Sequence, residues 1–471
     1  MVPSAVPYSG RTVGRIGGEL AGLSFFVYRR GRNQLPTKGR TMRFKKASAL
    51  IIALTVVGVA CGSDAKTATT TPPAASGGST PAASGGTLII ATDLPLQGAS
   101  HDASTDTNNA ISLLLEQAGG KAGNFTVQLK SYDDSTAAKG GWDDATCAKN
   151  ANDHVANKVE VAVMGTYNSG CAKIEVPVLN QDPTGPMLMI SHANTNPGLT
   201  KAWDPGEPDK YYPNGTRNYG RVIATDDFQG QADAQFAKQD LKVTKCVVLN
   251  DAQTYGVGVA TAFKTEALKQ GIEIVADEAW DAKQPNYTAL FEGFKSKNPD
   301  CVFLGGINDN NGEQLIRDKV AVLGPNDGAV KLIGPDGFTG YPSVQKLTEA
   351  QGMYISFAGL PASELIKAGG AGAKFVTDFK AKFGHDPASA YAIYGAAATQ
   401  YILASIAASD GTRKGVRDAA FSGKITIPAD QSVIGKAFGI DSATGDVTVK
   451  DMSIQLMKGN VETFLKAWPL A

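Results

Sequence analysis

Short apolar runs, rich in β-branched residues, alternate with longer amphipathic stretches from Thr87 onward. In the first half of this region the runs lie at residues 87–93, 125–134, 159–165 and 186–191. Buried strands that are separated by helices indicate βαβ units and a parallel sheet covered on both faces. Because such crossovers are right-handed, we predict an open, doubly wound sheet.

A second series of strands follows a long Pro/Gly-rich loop, residues 201–220, which contains three tyrosines. Loops of this length are often functional, and this one could overhang a binding cleft. The second series predicts another α/β lobe, with strands at residues 221–225, 246–251, 272–280, 301–306 and 331–337. The remaining pattern predicts a strand at 353–359, helices at about 362–383 and 390–408, and strands at 436–442 and 447–457.

The segment Met42–Cys61 has the layout of a secretory signal. Basic residues precede an apolar run, Ala47–Ala60, which ends directly before a cysteine and is too short to span a bilayer. The end of this run resembles the bacterial lipobox, in which the cysteine is acylated, although Gly58 replaces the usual Leu. We expect export and lipidation of Cys61; a plain secretory signal with an incidental cysteine, or a buried helix, is the alternative.

The predicted signal peptide, residues 42–60, is flanked by two segments that we interpret separately. Residues 1–41 precede a complete signal, so we interpret them as a start-site extension, or else as a long basic n-region. Residues 62–86 lack large apolar side chains and are rich in Ser, Thr, Ala, Gly and Pro. Such a segment cannot bury a core. We therefore expect residues 61–86 to form the lipid-anchor cysteine and a flexible tether, with a disordered terminus as the alternative.

The chain has no net charge, but its charges are unevenly distributed along the sequence. Residues 1–46 hold ten of the 45 basic side chains and one of the 45 acidic ones, so 35 basic and 44 acidic side chains remain from Cys61 onward. This acidic balance argues against nucleic acid or an anionic membrane surface as a partner, because both need basic patches.

Four cysteines remain in the exported part of the chain, Cys147, Cys171, Cys246 and Cys301. An even number in an exported protein is consistent with two disulfides, and the sequence alone allows three pairings. We favour Cys147–Cys171 and Cys246–Cys301. The last two cysteines open two runs that we predict as neighbouring parallel strands, so they should start at one edge of the sheet. Buried free thiols are the alternative for this pair.

Ligands of open parallel sheets bind at the carboxyl ends of the strands. The loops predicted there are polar, small and mostly uncharged, and they carry the segments VAVMGTYNSGCAKIEVPVLN, PMLMISHANTNPGLT, NDAQTYGVGVATAFK, FLGGINDNNGEQLIR and LIGPDGFTG. Together, in this order, they resemble the type I periplasmic binding proteins, most closely the branch that binds leucine, isoleucine and valine. The resemblance extends from about Thr87 to the C-terminus. It implies a receptor of an ABC importer, whose two lobes are joined by a three-strand hinge and close around a solute.

The resemblance also implies how the chain divides between the lobes. Lobe 1 would comprise residues 87–222 and 359–430, and lobe 2 residues 223–358 and 431–471. The leucine binders carry a disulfide at positions that match Cys147–Cys171, which supports this pairing. Closing so short a loop could stabilise the fold by roughly 3 kcal/mol.

Two loops of the first lobe are candidates for binding a carboxylate. Ser169 and Gly170 lie where a predicted strand ends and a helix begins, and free N–H groups and the helix dipole hold anions at such a place. The resemblance implies that Ser169 and Thr195 bind the α-carboxylate of an amino acid, and that backbone groups of Ala193 and Asn194 help to hold the zwitterion. A helix N-cap is the simpler interpretation of Ser169, and a turn that of Thr195.

The second lobe would supply the other contacts. The resemblance gives Asp336, in GPDG, a charge-assisted hydrogen bond to the ligand ammonium, and it gives Tyr255 the role of closing over the ligand. Asp336 replaces a longer Glu, and Ile307-Asn308 stands where the leucine binders carry tyrosines, so the side-chain pocket should differ; Asn308 could help to shut the cleft. A simple Asp-Gly turn and ordinary packing are the alternatives for Asp336 and Tyr255. In the N-terminal loop, Gln97 and His101 match the family only loosely.

Catalytic motifs are incomplete in this sequence. Ser169–Lys173 matches S-x-x-K, but the accompanying S-D-N and K-T-G elements are absent, and the segment Ser63–Lys66 repeats the pattern by chance. A dinucleotide fingerprint at Gly256 lacks its third small residue, because Thr261 stands there. We also expect no metal and only surface or loop histidines, since no metal-ligand spacing is present among His101, His154, His192 and His385. These observations predict neither an enzyme nor a cofactor.

We therefore expect an extracytoplasmic, lipid-anchored and monomeric receptor for a small polar solute, an amino acid of the branched-chain type or a related compound. Its partner would be an ABC permease in the membrane. A lipoprotein that signals to a membrane receptor, or a binder of an amide or urea, is the alternative. A permease and an ATPase encoded nearby would distinguish transport from signalling.

Overall fold

The computed structural model describes residues 85–469, and all statements below concern this part of the chain. The predicted signal peptide, Cys61 and the tether as far as residue 84 lie outside the described residues. Among the described helices, none is long and apolar enough to cross a membrane.

The first sheet has six strands in the order β2-β3-β1-β6-β7-β8. All neighbours are parallel except for the short β2 at the edge. This part of the chain contains β1 (Thr87–Leu94), α1 (His101–Gln117), β2 (Lys121–Ala122), β3 (Phe125–Asp133), β4 (Ser135–Thr136), β5 (Gly141–Trp142), α2 (Asp144–Ala156), β6 (Glu160–Gly165), α3 (Ser169–Asn180), β7 (Leu188–Ser191) and β8 (Tyr219–Arg221). Strands β6 and β7 are wholly buried, and β1 is buried from Ile90 to its end, because helices cover both faces.

The second sheet has seven strands in the order β10-β9-β11-β12-β13-β16-β17. The first five are parallel, and an antiparallel hairpin, β16 and β17, extends the sheet at one edge. Its elements are α4 (Asp226–Gln239), β9 (Lys245–Asn250), α5 (Thr254–Lys269), β10 (Glu273–Ala279), α6 (Thr288–Lys295), β11 (Cys301–Gly305), α7 (Gly312–Leu323), β12 (Lys331–Gly334), α8 (Pro342–Lys346), β13 (Tyr354–Phe357), β16 (Ser453–Lys458) and β17 (Val461–Ala467).

The chain passes three times between the two sheets, after β8, after β13 and before β16. Between the second and third passages it adds helices to the first lobe. These elements are α9 (Ala362–Ala368), α10 (Gly370–Phe383), α11 (Tyr391–Ala407), α12 (Arg413–Ala420), and the ribbon of β14 (Thr426–Ile427) and β15 (Phe438–Gly439). The predicted fold class, two doubly wound α/β lobes connected by three chain segments, is confirmed.

Several predicted elements differ from the observed ones, each for a local reason. The strand predicted at 221–225 is β8, which ends at Arg221 and pairs with β7 of the first sheet, while residues 222–225 bend towards α4. The helix predicted at 362–383 is interrupted at Gly369, which has a left-handed φ of 76°. The strand predicted at 447–457 is confined to β16, and the pattern missed β17 and α12.

The lobe boundary near the C-terminus also needs adjustment. We assigned residues 431–471 to lobe 2, but Gln400 of α11 donates to the carbonyl of Gln431 at 2.8 Å and accepts from the N–H of Val433 at 3.1 Å. Val433 and Phe438 belong to the same buried cluster as the helices of the first lobe. We therefore propose that lobe 1 continues to about residue 450, and the other predicted boundaries stand as proposals.

Both predicted cysteine pairs are adjacent in the structure. Cys147 of α2 is bonded to Cys171 of α3, with the Cα atoms 5.6 Å apart. Cys301 of β11 lies directly opposite Cys246 of β9 in the parallel register, with the Cα atoms 4.4 Å apart. The first pair fixes the start of α3, and the second fixes the amino edge of the second sheet.

Candidate ligand-binding cleft

A small cavity lies where the carboxyl ends of the two sheets face each other. Its walls come from loops that follow β6, β7, β9, β11 and β12, together with the start of α11. The lining residues are Tyr167, Asn168, Ser169, Ala193, Tyr255, Ile307, Asp336, Gly337 and Tyr391. The position agrees with the rule that open parallel sheets bind ligands at this edge.

Ser169 is the first residue of α3, so the positive end of the helix dipole faces the cavity. The side chain is buried, and its Oγ accepts a hydrogen bond of 3.4 Å from the N–H of Asn196. At the next position only glycine fits, because a Cβ on Gly170 would lie 2.4 Å from the ring of Trp142. The disulfide of Cys171 holds the same turn of α3, so this end of the cavity is rigid.

A fully buried arginine fixes the loop after β7. Arg221 donates to the carbonyl of Asn194 at 2.7 Å, to that of Asn196 at 3.0 Å, and to the carboxylate of Asp446 at 3.0 Å. The N–H groups of Ala193 and Asn194 both donate to Ser191 Oγ. Ala193 lines the cavity wall, whereas the hydrogen bonds of Asn194 stabilise the loop behind this wall.

Asp336 presents a carboxyl group to the cavity from the end of β12. The Tyr255 hydroxyl donates to Asp336 Oδ1 at 2.5 Å, and the same hydroxyl accepts from the N–H of Gly337 at 3.1 Å. The amide of Gln229, oriented to satisfy both of its ends, donates to Asp336 Oδ1 at 3.1 Å and accepts from the Asp336 N–H at 3.0 Å. Burial raises the pKa of Asp336 to about 6, although the hydrogen bonds from Tyr255 and Gln229 oppose this shift.

Several buried polar atoms at the cleft have no hydrogen-bond partner among the described residues. They include Asp336 Oδ2, Asn168 Oδ1, Asn308 Oδ1, Thr195 Oγ1 and both carboxylate oxygens of Asp226. Burial raises the pKa of Asp226 well above its usual value, and the nearby charge of Asp336 raises it further. An unpaired buried polar group costs about 1–3 kcal/mol. The cleft is therefore built to receive polar groups.

Aromatic rings form the apolar wall of the cleft. Tyr167 and Tyr391 pack edge to face with their ring centroids 5.2 Å apart, and Tyr391 also packs against Phe357 at 5.1 Å. His192 lies behind them, 5.6 Å from the Tyr167 ring, and burial lowers the pKa of His192 to about 3, so this side chain is neutral. We expected surface or loop histidines; His192 lies in the loop after β7, although it is fully buried, whereas His154 is fully buried within α2.

A carboxylate of the second lobe joins the two lobes beside the cavity. Asp309 accepts from the Ser100 N–H at 3.1 Å and from the Ser100 hydroxyl at 3.0 Å. The Tyr341 hydroxyl donates to the same carboxylate at 2.8 Å. Burial raises the pKa of Asp309. We call Ser100, Asp309 and Tyr341 the latch, because Ser100 belongs to the first lobe and the other two to the second.

The structure brings four of the predicted binding residues to the cavity wall, namely Ser169, Ala193, Tyr255 and Asp336. The other four, Gly170, Asn194, Thr195 and Asn308, are buried next to the wall without lining it. Gln97 and His101 lie elsewhere, at the mouth of a separate surface depression. Ligand contact by any of these residues stays a prediction.

Sequence reasoning missed several residues that line the cavity. Tyr167 and Asn168 immediately precede Ser169 in a loop that the strand-end rule had indicated, so they could have been included. Ile307 was noted only as a departure from the leucine binders. No pattern in the sequence indicated that Tyr391 lines the cavity. It lies at the start of α11, more than 200 residues after Tyr167 in the chain.

Comparison with known proteins decides the family. Residues 89–458 match the family described as periplasmic binding protein. The chain belongs to this family. Its curated relatives include the Leu/Ile/Val-binding protein BraC3 of Rhizobium johnstonii, 28% identical over 247 residues, which are 52% of this chain and 60% of that protein. The match thus spans less than two thirds of the length of this relative.

Solved structures of other periplasmic binding proteins share the fold. A leucine binding protein from Thermotoga maritima superposes with a TM-score of 0.67 at 21% identity, over 81% of this chain and 98% of that one. A solute binding protein of an ABC transporter from R. palustris, in complex with benzoate, gives a TM-score of 0.66 at 19% identity, over 82% and 97% of the two chains. One fold therefore serves ligands as different as leucine and benzoate.

Proposed function

We propose that this periplasmic binding protein is the extracytoplasmic receptor of an ABC importer and closes its lobes on a small zwitterion. The ligand would be an amino acid of the branched-chain type or a related compound. One observation carries the proposal: the buried Asp336 carboxyl, with Oδ2 free, lines the same cavity as Ser169 at the positive end of α3. An ammonium suits the first group and a carboxylate the second.

The geometry suggests that each lobe binds a different charged group of the ligand. Lobe 1 would hold the ligand carboxylate on the rigid start of α3, which the disulfide of Cys171 braces. Lobe 2 would bring Asp336 and Tyr255 onto the ammonium, and the latch would hold the lobes closed. Ile307 and the rings of Tyr167 and Tyr391 would surround the side chain. Two charged contacts in a desolvated cavity are enough to favour a zwitterion over an uncharged solute of the same shape.

The names of the curated relatives support the ligand class, because BraC3 of R. johnstonii is a Leu/Ile/Val-binding protein. Lipidation of Cys61 would keep the receptor at the outer face of the membrane, next to an ABC permease, and the tether would let it move there as a monomer. A lipoprotein that reports its liganded state to a membrane receptor would use the same closure. Uptake of the labelled ligand by cells that lack the nearest permease gene would separate these two roles.

A ligand screen tests the proposal. Thermal unfolding of the purified protein would be followed with single amino acids, amides, urea and aromatic or aliphatic carboxylates. A ligand at 100 times its dissociation constant should add about 2.7 kcal/mol to the free energy of unfolding. We expect one aliphatic amino acid to give this shift and Asp336→Asn to remove it. The matched control, Asp386→Asn, changes an exposed aspartate that is absent from the cavity wall, and should leave the shift intact.

Other outcomes would change the assignment. A shift with urea, amides or benzoate alone, independent of Asp336, would contradict the zwitterion and leave a receptor for a different solute class. No shift with any of these compounds would contradict both the ligand class and the import role proposed here.

A further inference from the structure

A second polar cluster lies inside lobe 1, apart from the cleft. Asp93 comes from the end of β1, His154 from α2 and Glu175 from α3, and all three side chains are fully buried. One potential ligand atom from each of them lies within 4.8 Å of the corresponding atoms of the other two. Three separate elements thus converge on one point.

The orientation of the His154 ring is fixed by a fourth acidic side chain. Its Nδ1 lies 2.8 Å from Glu160 Oε2, and Glu160 also accepts from the Tyr132 hydroxyl and the Asn157 amide, both at 2.6 Å. A proton on Nδ1 leaves Nε2 free to act as a ligand, turned towards Asp93. Histidines that bind metals are oriented by such a carboxylate on the opposite ring nitrogen.

The distance between His154 and Asp93 fits two ligands of one ion. His154 Nε2 and Asp93 Oδ2 are 3.4 Å apart, which is long for a direct N–H···O hydrogen bond. With metal–ligand bonds of about 2.0–2.1 Å, two neighbouring ligands of a tetrahedral ion are about 3.3 Å apart. Asp93 Oδ1 is held separately by the Asn150 amide at 3.0 Å, so the carboxylate presents its other oxygen to this point.

Apart from His154 itself, which pairs with Asp93 when its ring is protonated, the negative charge of the cluster has no cationic partner among the described residues. Glu175 Oε2 is buried without a hydrogen-bond partner, and neither oxygen of the adjacent, fully buried Asp134 has one. No lysine or arginine of residues 85–469 forms a salt bridge with Asp93, Asp134 or Glu175. Unpaired carboxylates are costly to bury, and coordination of a cation is one of the ways in which proteins accommodate them.

We propose that Asp93, His154 and Glu175 bind a divalent first-row transition-metal ion, with Zn²⁺ as the best match. One imidazole with carboxylate oxygens is a donor set that Zn²⁺ accepts, whereas Ca²⁺ and Mg²⁺ prefer oxygen ligands alone. The ion ties β1 and α2 to α3, beside the Cys147–Cys171 disulfide. It has a structural role, is independent of the proposed transport function, and revises our expectation that no metal is bound.

Metal content and melting temperature of the full chain test this site. Because the ligands are buried, the protein is unfolded in denaturant with a chelator and refolded with Zn²⁺ or Co²⁺, and unbound metal is removed by gel filtration. We expect about one ion per chain by mass spectrometry, and a lower melting temperature for protein refolded without metal. Bound Co²⁺ should also show the visible absorption of a low-symmetry site.

Matched variants separate this site from adventitious binding. Glu175→Gln and His154→Gln should each reduce the metal content at least about tenfold, a typical effect of losing a ligand or its support. The controls are Glu207→Gln, a buried glutamate paired with Lys173, and His192→Gln, a buried histidine of the cleft; both should keep the ion. If Glu175→Gln fails to fold, the chelator dependence of wild-type melting decides the question.

Two results would overturn the inference. In the first, wild-type protein refolds with no bound metal and with the same melting temperature in the presence or absence of chelator. In that case Asp93 and Glu175 share a proton and no cation. Alternatively, the variants could retain the ion, and the metal would then be bound elsewhere.

Discussion

Replacing Tyr255 with Phe should raise the pKa of Asp336, because it removes the closest donor to that carboxyl group. The Tyr255 hydroxyl donates to Asp336 Oδ1 at 2.5 Å, and burial already raises the pKa of Asp336 to about 6. A hydrogen bond to a charged group contributes about 1.5–3 kcal/mol. Since about 1.4 kcal/mol corresponds to one pKa unit, we expect a pKa of about 7–8 for Asp336 in the variant.

Carbon-13 NMR of protein labelled at the aspartate carboxyl groups measures this pKa directly and needs no ligand. The resonance that disappears in Asp336→Asn identifies the group. Tyr212→Phe is the matched control, because the Tyr212 hydroxyl is buried and donates to the carbonyl of Leu199 at 2.6 Å, without contacting Asp336. The reasoning is refuted if Asp336 titrates at the same pH in Tyr255→Phe and in wild type.

The raised pKa of Asp336 should also change how ligand affinity depends on pH, and thermodynamic linkage gives the direction of this change. An ammonium ligand prefers the ionised form of Asp336, so its affinity falls as the pH drops through the pKa of the free protein. With a pKa of about 6, about one tenth of the groups are ionised at pH 5, and binding should be about tenfold weaker than at pH 7. In Tyr255→Phe this loss should occur about one to two pH units higher. Calorimetric titrations at several pH values measure both curves.

Three further predictions concern the scaffold around the cleft. Arg221→Met should lower the free energy of unfolding by about 3–5 kcal/mol in chemical denaturation, because it removes the fully buried cation that pairs with Asp446 and leaves the buried carbonyl of Asn194 without its donor; Arg317→Met, at a half-exposed arginine, should have little effect. Replacing both Cys147 and Cys171 with Ala should lower the same quantity by about 3 kcal/mol, and a reducing agent should then have no additional effect through this pair. Asp309→Ala should speed ligand dissociation several-fold in stopped-flow measurements, because the latch loses its acceptor; an unchanged rate would show that the latch does not hold the lobes closed.

The fold was predictable from the sequence where a strand is buried on both faces. Runs such as residues 161–165 and 301–306 are continuously apolar, and the short length of such runs between helices favours strands. The prediction was wrong at Arg221, where an apolar pattern that follows a charged residue suggested a strand. The arginine instead ends β8, because its side chain is needed to hold the loop of Asn194 and the segment of Asp446 together.

The position of the cleft could be predicted from the sequence, but the full set of residues around it could not. Ser169, Tyr255 and Asp336 each follow a strand, so topology alone predicts that they meet. Tyr391 and the latch could not be found, because contacts such as Ser100 with Asp309 span 209 residues and leave no local pattern. For the same reason the metal-ligand spacing rule missed His154, whose neighbours Asp93 and Glu175 come from two other elements.

The two sides of the cleft differ in how they should respond to acid. On the lobe 1 side, Ser169 is fixed by a helix start, a disulfide and the Arg221 network, and Ser169 itself does not titrate. On the lobe 2 side, the contacts depend on buried carboxyl groups with raised pKa values, about 6 for both Asp336 and Asp251. Asp251 accepts from the N–H of Ile307 and the amide of Asn310, and so orders the loop that carries Asp309 of the latch. Mild acid should therefore weaken the contact of Asp336 with an ammonium ligand, while the ligand site on lobe 1 stays intact. The latch has the opposite sign, because burial raises the pKa of Asp309 and proton uptake then favours the closed form.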